Sequence, residues 1–175
     1  MSNESTLLIL GAGGHGKSVA EAAYLSGKWN NIVFADDAWP EKTEFYGYPI
    51  LSNMKHLSEA SLKVSAAIPA VGNNMVRQQW FQLLQEADIP LATVIHPSAI
   101  ISSSARLGSG VSIMAGCIIG VEADIADGVI VNMGTAIDHD VTIGQFAHLS
   151  VGVKVTGGKS LAAFEFVPAG SIFAH

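Results

Sequence analysis

From Ile95 onward, every sixth residue of this chain is large and apolar. The series runs Ile95, Ile101, Leu107, Ile113, Ile119, Ile125, Val131, Ile137, Ile143, Leu149, Val155, Leu161, Val167 and Phe173. With 49% of all residues apolar, a run this long in a given register arises by chance on the order of once in ten thousand. A period of six matches neither an α-helix nor a simple strand. It matches a chain that turns a corner every six residues, so that three flat sides, about 18 residues, close one triangular coil. Successive coils then stack as parallel strands about 4.8 Å apart.

The rest of the hexad agrees with this geometry. Four residues after each large aliphatic the slot is mostly small: Ala99, Ala105, Val111, Cys117, Ala123, Val129, Thr135, Val141, Ala147 and Val153. Both residues point inward in a coil of this kind, so Cys117 is expected to be core packing and not a reactive thiol. The same slot holds Lys159 and Glu165 near the end. Burying these charges is costly unless they pair. The last coil is therefore expected to hold a charge pair or to be distorted, with Phe164 and Phe166 competing for the interior.

The first half reads differently. A strand at Thr6 to Leu10 runs into the glycine turn Gly11 to Lys17, then a helix from Ser18 to Ser26 and a second strand from Asn31 to Ala35. A third strand is expected at Val64 to Ile68. An amphipathic helix follows at Asn74 to Ala87, with Trp80, Leu83, Leu84 and Ala87 on one face, and then a strand at Leu91 to Ile95. Alternating strands and helices imply a parallel sheet. The chain thus divides into an α/β lobe, residues 1–92, and an all-β coil, residues 93–175, with the boundary near Pro90 and Pro97.

Composition narrows the function classes. The formal charge is −6 and the nine Lys and Arg residues form no cluster, which argues against nucleic-acid binding. No apolar run is long enough for a membrane span, and the run Leu7 to Leu10 is too short for a signal peptide. A cytoplasmic location is expected, and a single cysteine fits a reducing compartment.

Two segments could carry chemistry. Gly11, Gly13 and Gly16 match G-x-G-x-x-G, and Asp36 follows at the end of the next strand. Backbone N–H groups at such a turn can approach a phosphate, and a carboxylate there can accept from a ribose or base. A plain tight turn explains the same residues. The lobe is also too small for a full dinucleotide site. The second segment runs from Asn132 to His148. His139 sits between Asp138 and Asp140, and a carboxylate beside an imidazole fixes its tautomer and raises its basicity, as a general base requires. His139 and His148 are half a coil apart, so one chain cannot easily gather them. Asn132 and His148 are nearly one coil apart and stack, and Gly157 lies one coil above His139. A three-fold trimer would bring His139 of one chain to Asn132 and His148 of the next.

These features together resemble the PglD/NeuD-type sugar acyltransferases of bacterial surface-glycan biosynthesis. The resemblance rests on Gly13-Gly-His-Gly-Lys17, Asp36-Asp37, Tyr46-Gly-Tyr-Pro-Ile50, Gly72-Asn-Asn-Met-Val-Arg77, His96-Pro-Ser-Ala99 and the segment from Asn132 to Gly157. It implies a Rossmann-like lobe followed by a left-handed parallel β-helix. It also implies acetyl transfer from acetyl-CoA, without a metal, to an amine or hydroxyl of a nucleotide-linked sugar. By resemblance His139 is the base and Asp140 its carboxylate, an Asp where the family often has Glu. Gly14, His15, Gly16, Asp36, Asp37 and Gly72 hold the nucleotide sugar, Asn132 the acceptor, and His148 and Gly157 the acetyl-CoA. The hexads after Phe173 that the family commonly has are not in this sequence, so the donor groove is expected to be shortened. Two further readings follow from the residues. One is a non-catalytic nucleotide-sugar-binding or partner-regulating member. The other is a zinc hydrolyase like the β-helical carbonic anhydrases, which needs three converging histidines where only His139 and His148 are suitably placed.

Overall fold

The structure, a computed structural model, describes residues 5–57 and 63–174. The chain divides into two compact units, Met1–Ala92 and Thr93–His175.

Among the described residues the first unit is a five-stranded sheet with two α-helices and a short 3-10 helix, Met54–His56. Its elements are β1 (Thr6–Leu10), α1 (Gly14–Ser26), β2 (Asn31–Ala35), β3 (Glu44–Phe45), β4 (Tyr48–Ser52), β5 (Ala66–Pro69) and α2 (Asn74–Glu86). The strand order is β3-β4-β2-β1-β5, parallel except for the β3–β4 hairpin. In β1, which lies between β2 and β5, Leu7 to Leu10 are all fully buried, as in a strand covered on both faces.

Three expectations change here. Helix α1 begins at Gly14, not Ser18, so Gly14, His15 and Gly16 form its first turn. A Cβ on Gly16 would run into the carbonyl oxygen of Gly11. The third glycine therefore lets helix and strand pack closely, and does not extend the turn. The expected strand at Val64 to Ile68 is Ala66–Pro69, and the strand leading into the coil is only Val94–Ile95. The β3–β4 hairpin was not expected. Tyr46 and Gly47, with φ of 54° and 78°, make its two-residue turn, a conformation that suits the twist of the flanking strands. Among the described residues no helix is long and apolar enough to cross a membrane.

The second unit is a run of two-residue strands on three parallel faces. The first face stacks Val94–Ile95, Ser112–Ile113, Ile130–Val131, His148–Leu149 and Phe166–Val167. The second stacks Ile100–Ile101, Ile118–Ile119, Ala136–Ile137, Lys154–Val155 and Ile172–Phe173, and the third Arg106–Leu107, Asp124–Ile125, Thr142–Ile143 and Ser160–Leu161. Partners lie one coil apart in sequence, as in Ile118 with Ala136 and Ile130 with His148. The inward aliphatics from Ile113 to Val167 and the small residues from Val111 to Val153 form one buried core.

From residue 110 onward each corner holds a residue with a left-handed backbone. Glycine fills that slot at 110, 116, 128, 134, 152, 158 and 170, while Glu122, Asp140, Phe146 and Phe164 adopt the same positive φ. The final coil is not distorted: its strands keep register with Thr142, His148 and Lys154 below. Phe164 and Phe166 do not compete for the interior. Phe164 takes a corner slot and stacks on Phe146 one coil below, with ring centroids 5.5 Å apart. Phe166 points outward and is 58% exposed. Lys159 and Glu165 are half-buried, and the Glu165 carboxylate accepts a hydrogen bond from the Ala162 N–H at 2.9 Å.

Candidate functional site

His139 stands on the corner between the second and third faces, after Ala136–Ile137 and before Thr142–Ile143. The ladder around it is made by backbone. The Asp140 N–H donates to the Val121 carbonyl one coil below at 2.9 Å, and the Gly158 N–H donates to the His139 carbonyl from one coil above at 2.9 Å. The His139 N–H donates to Asp138 Oδ1 at 2.8 Å. With its backbone held, the exposed imidazole has one well-defined partner. Its Nδ1 lies 2.8 Å from Asp140 Oδ2.

Asp140 reaches the ring because its own backbone is left-handed, with φ of 55°. A carboxylate only accepts, so Nδ1 carries the proton and Nε2 presents a lone pair outward. The hydrogen bond that Nδ1–H donates to Asp140, followed by the negative charge of Asp138, raises the imidazole pKa above its ordinary value. The layer above the ring is bare. A Cβ on Gly157 would lie 2.5 Å from both Cε1 and Nε2 of His139, and below the neighbouring Asp138 a Cβ on Gly120 would lie 2.7 Å from its carbonyl carbon. Beside this corner the second face carries an open groove lined by Ile118, Gly120, Ala136, Asp138, Lys154 and Thr156.

His148 lies on the first face, which is the side of the prism opposite the His139 corner. It is nearly buried, with its ring edge-on to Phe166 at 5.1 Å. Asn132 joins it, since its N–H donates to the carbonyl of Leu149 at 3.0 Å. One chain thus brings together Asn132 with His148, and His139 with Asp140 and Gly157, as two separate groups. Cys117 is buried, burial pushes its thiol pKa up, and its Sγ donates to the Asn132 carbonyl at 3.1 Å.

The first unit holds a second concave site. A cleft of about 260 Å³ is lined by Gly11, Ala12, Gly13, Gly14, His15, Asp36, Ala70, Val71, Gly72 and Trp80. Of the expected residues, Gly14, His15, Asp36 and Gly72 line it. Gly16 packs against Gly11 instead, and Asp37 Oδ1 accepts from the Met54 N–H at 3.2 Å. Asp36 is itself a clamp. Its Oδ2 accepts from the Ala12 N–H at 2.7 Å and its Oδ1 from the Ala38 N–H at 3.0 Å, which ties the glycine turn to the end of β2. Trp80 falls by periodicity on the core face of an amphipathic helix, and no periodicity shows that its ring also borders a cleft. Among the described residues no group of three or more His, Cys, Asp and Glu side chains is placed to hold a metal ion.

The chain thus joins an α/β lobe to a hexapeptide β-helix that carries a histidine–carboxylate corner. The PglD N-terminal domain family matches residues 6–84. Over 118 residues, 61% of this chain and 50% of the relative, the sequence is 36% identical to the UDP-N-acetylbacillosamine N-acetyltransferase of Bacillus subtilis strain 168. The chain therefore spans about half the length of that relative. Among solved structures, the acetyltransferase domain of PglB from Neisseria gonorrhoeae FA1090 matches with a TM-score of 0.85 at 29% identity, covering 97% of this chain and 91% of that one. A histidine-to-alanine mutant of the GDP-perosamine N-acetyltransferase of Caulobacter crescentus, in complex with CoA and GDP-perosamine, matches with a TM-score of 0.83 at 30% identity, covering 98% and 89%. The chain belongs to the PglD/NeuD-type family of sugar acyltransferases, and its β-helix is of the left-handed kind.

Proposed function

We propose that this chain transfers the acetyl group of acetyl-CoA to an amine or hydroxyl of a nucleotide-linked sugar, with His139 as general base. The observation that carries the reading is the His139 Nδ1 to Asp140 Oδ2 bond of 2.8 Å on an exposed corner below a bare Gly157. The named relatives are N-acetyltransferases, which favours an amine. Nε2 takes the proton from the acceptor, whose nitrogen or oxygen adds to the thioester carbonyl. The C–S bond then breaks and the proton passes to the leaving thiolate. No acyl-enzyme is needed, and the buried Cys117 cannot form one.

The nucleotide sugar is assigned to Gly14, His15, Gly16, Asp36, Asp37 and Gly72, with Asn132 on the acceptor. Acetyl-CoA is assigned to His148 and Gly157, and the apolar groove beside the corner suits its alkyl arm. The donor places the reaction in the cytoplasm. Since the His139 corner and the Asn132–His148 face lie on opposite sides of one prism, a homotrimer is the arrangement that joins them.

The first test is calorimetric titration with acetyl-CoA, UDP and GDP. Acetyl-CoA binding with Kd between about 1 μM and 1 mM is expected. Clear nucleotide binding with no acetyl-CoA binding would replace the enzyme reading with that of a non-catalytic nucleotide-sugar-binding protein. A second test is Gly157→Ala. The backbone at Gly157 is not left-handed, so alanine is tolerated there, but its methyl group must push the His139 ring aside. We expect kcat to fall about tenfold, because small misplacements of a catalytic group are costly. The thermal midpoint should be unchanged. An unaltered kcat would mean that the ring does not act from the position it occupies here.

A further inference from the structure

We propose that Arg77 is a positioning residue for the cleft of the first unit, and that the segment from Gly72 to Arg77 is the device that shapes one of its walls. This rests on the reading of that cleft as the nucleotide site.

Arg77 is the largest fully buried side chain among the described residues, 1% exposed. A buried guanidinium is expensive to desolvate, and burial pulls its pKa down to about 10. Filling space alone does not call for a charge, since an apolar side chain of similar length fills it at lower cost. What the fork does here is directional. Nη1 donates to the carbonyls of Val71 at 3.0 Å and Gly72 at 3.3 Å, and Nη2 donates to Asn74 Oδ1 at 3.0 Å. All three acceptors belong to the stretch that enters α2, and Val71 and Gly72 line the cleft. In a trans peptide the C=O and the following N–H point in opposite directions. Holding the Val71 and Gly72 carbonyls on Arg77 therefore also sets the aim of the Gly72 and Asn73 N–H groups.

The neighbouring residues complete the device. Asn73 caps α2 by accepting from the Val76 N–H at 3.1 Å, which starts the helix and delivers Arg77 one turn in. Three residues later, Trp80 supports the opposite side. A Cβ on Gly11 would lie 2.9 Å from its ring, so the glycine turn rests on the indole while Asp36 ties it down from β2. One helix thus backs both walls, with Arg77 behind Val71–Gly72 and Trp80 behind Gly11.

The test compares Arg77→Lys, Arg77→Met and Asn74→Ala with the wild-type chain by calorimetric titration of UDP, GDP and acetyl-CoA. Lysine keeps the charge but lacks the planar fork. Arg77→Lys should weaken whichever nucleotide the wild type binds about tenfold, and Asn74→Ala about threefold, with acetyl-CoA affinity within about twofold of wild type. A residue that merely supported the fold would lower the stoichiometry of nucleotide binding and leave the Kd of the folded fraction unchanged. Nucleotide affinity within about twofold of wild type in Arg77→Lys would overturn the proposal. If both Arg77 variants fail to fold, an unchanged nucleotide affinity in Asn74→Ala would overturn it equally. A wild-type chain that binds neither UDP nor GDP removes the nucleotide reading of the cleft, and the proposal falls with it.

Discussion

Replacing His139 with Asn should lower kcat by about 10²- to 10⁴-fold, the range that a positioned general base contributes. Asparagine keeps a polar side chain at the corner but cannot accept and release a proton at the operating pH. The fold should not notice. His139 is exposed, its backbone is held by the ladder to Val121 and Gly158 whatever the side chain, and exposed substitutions of this kind change stability by only about 0.5 kcal/mol or less. Affinity for acetyl-CoA should also stay close to wild type, because the base acts on the acceptor. The useful readout is therefore a loss of turnover with both the thermal midpoint and acetyl-CoA binding intact. A variant that retains kcat within about fivefold would show that the proton leaves by another route.

The coil was legible in the sequence because its geometry allows so few choices. A residue pointing into a three-sided prism must be apolar at every sixth position, and Ile95 to Phe173 obey this throughout. The corner slot was equally available and was not used. Glycine recurs there at 110, 116, 128, 134, 152, 158 and 170, and counting in sixes puts Asp140, Phe146 and Phe164 in the same slot. That count alone would have moved Phe164 out of the interior. Other features were not legible. The β3–β4 hairpin consists of strands of two and five residues, and Pro49 lies inside the longer one, so no strand pattern marks it in the sequence. The start of α1 at Gly14 is hidden because glycines suggest a turn, whereas Gly16 is needed for its missing Cβ against Gly11. Arginine is ordinarily a surface residue, so the burial of Arg77 could not be read before the packing of α2 was known. At the His139 corner the residue types were visible as sequence neighbours. The left-handed backbone that turns the Asp140 carboxylate back onto Nδ1 is a property of the corner itself.

Asp140→Gly should separate activity from stability. The other corners show what the fold prefers at this position, and a non-glycine residue held in the left-handed region costs about 1 kcal/mol. Glycine removes that cost and keeps the backbone N–H bond to Val121. It also removes the carboxylate that fixes the tautomer of His139. Replacing the carboxylate of a buried triad costs about 10⁴-fold in kcat. This pair is exposed and screened, so a loss of roughly 10- to 100-fold is expected. The pH dependence carries the sign. Asp140 is the first cause of the raised imidazole pKa, with Asp138 second, so the variant should titrate lower. The acid limb of its rate profile should move to lower pH, and its deficit should shrink as the pH falls. Stability should follow the opposite course. A raised histidine pKa contributes stability that is fully present below the unfolded value and is lost as pH rises through the folded one. Well above the raised imidazole pKa the ring is neutral in both proteins, and the relief of backbone strain is set only against the loss of one exposed hydrogen bond from a neutral ring, so Asp140→Gly should melt close to the wild-type temperature or higher. At pH about 5 the lost interaction with the imidazolium should offset that gain. A variant as active as wild type, yet less stable at pH about 9, would mean that Asp140 serves the corner and not the base.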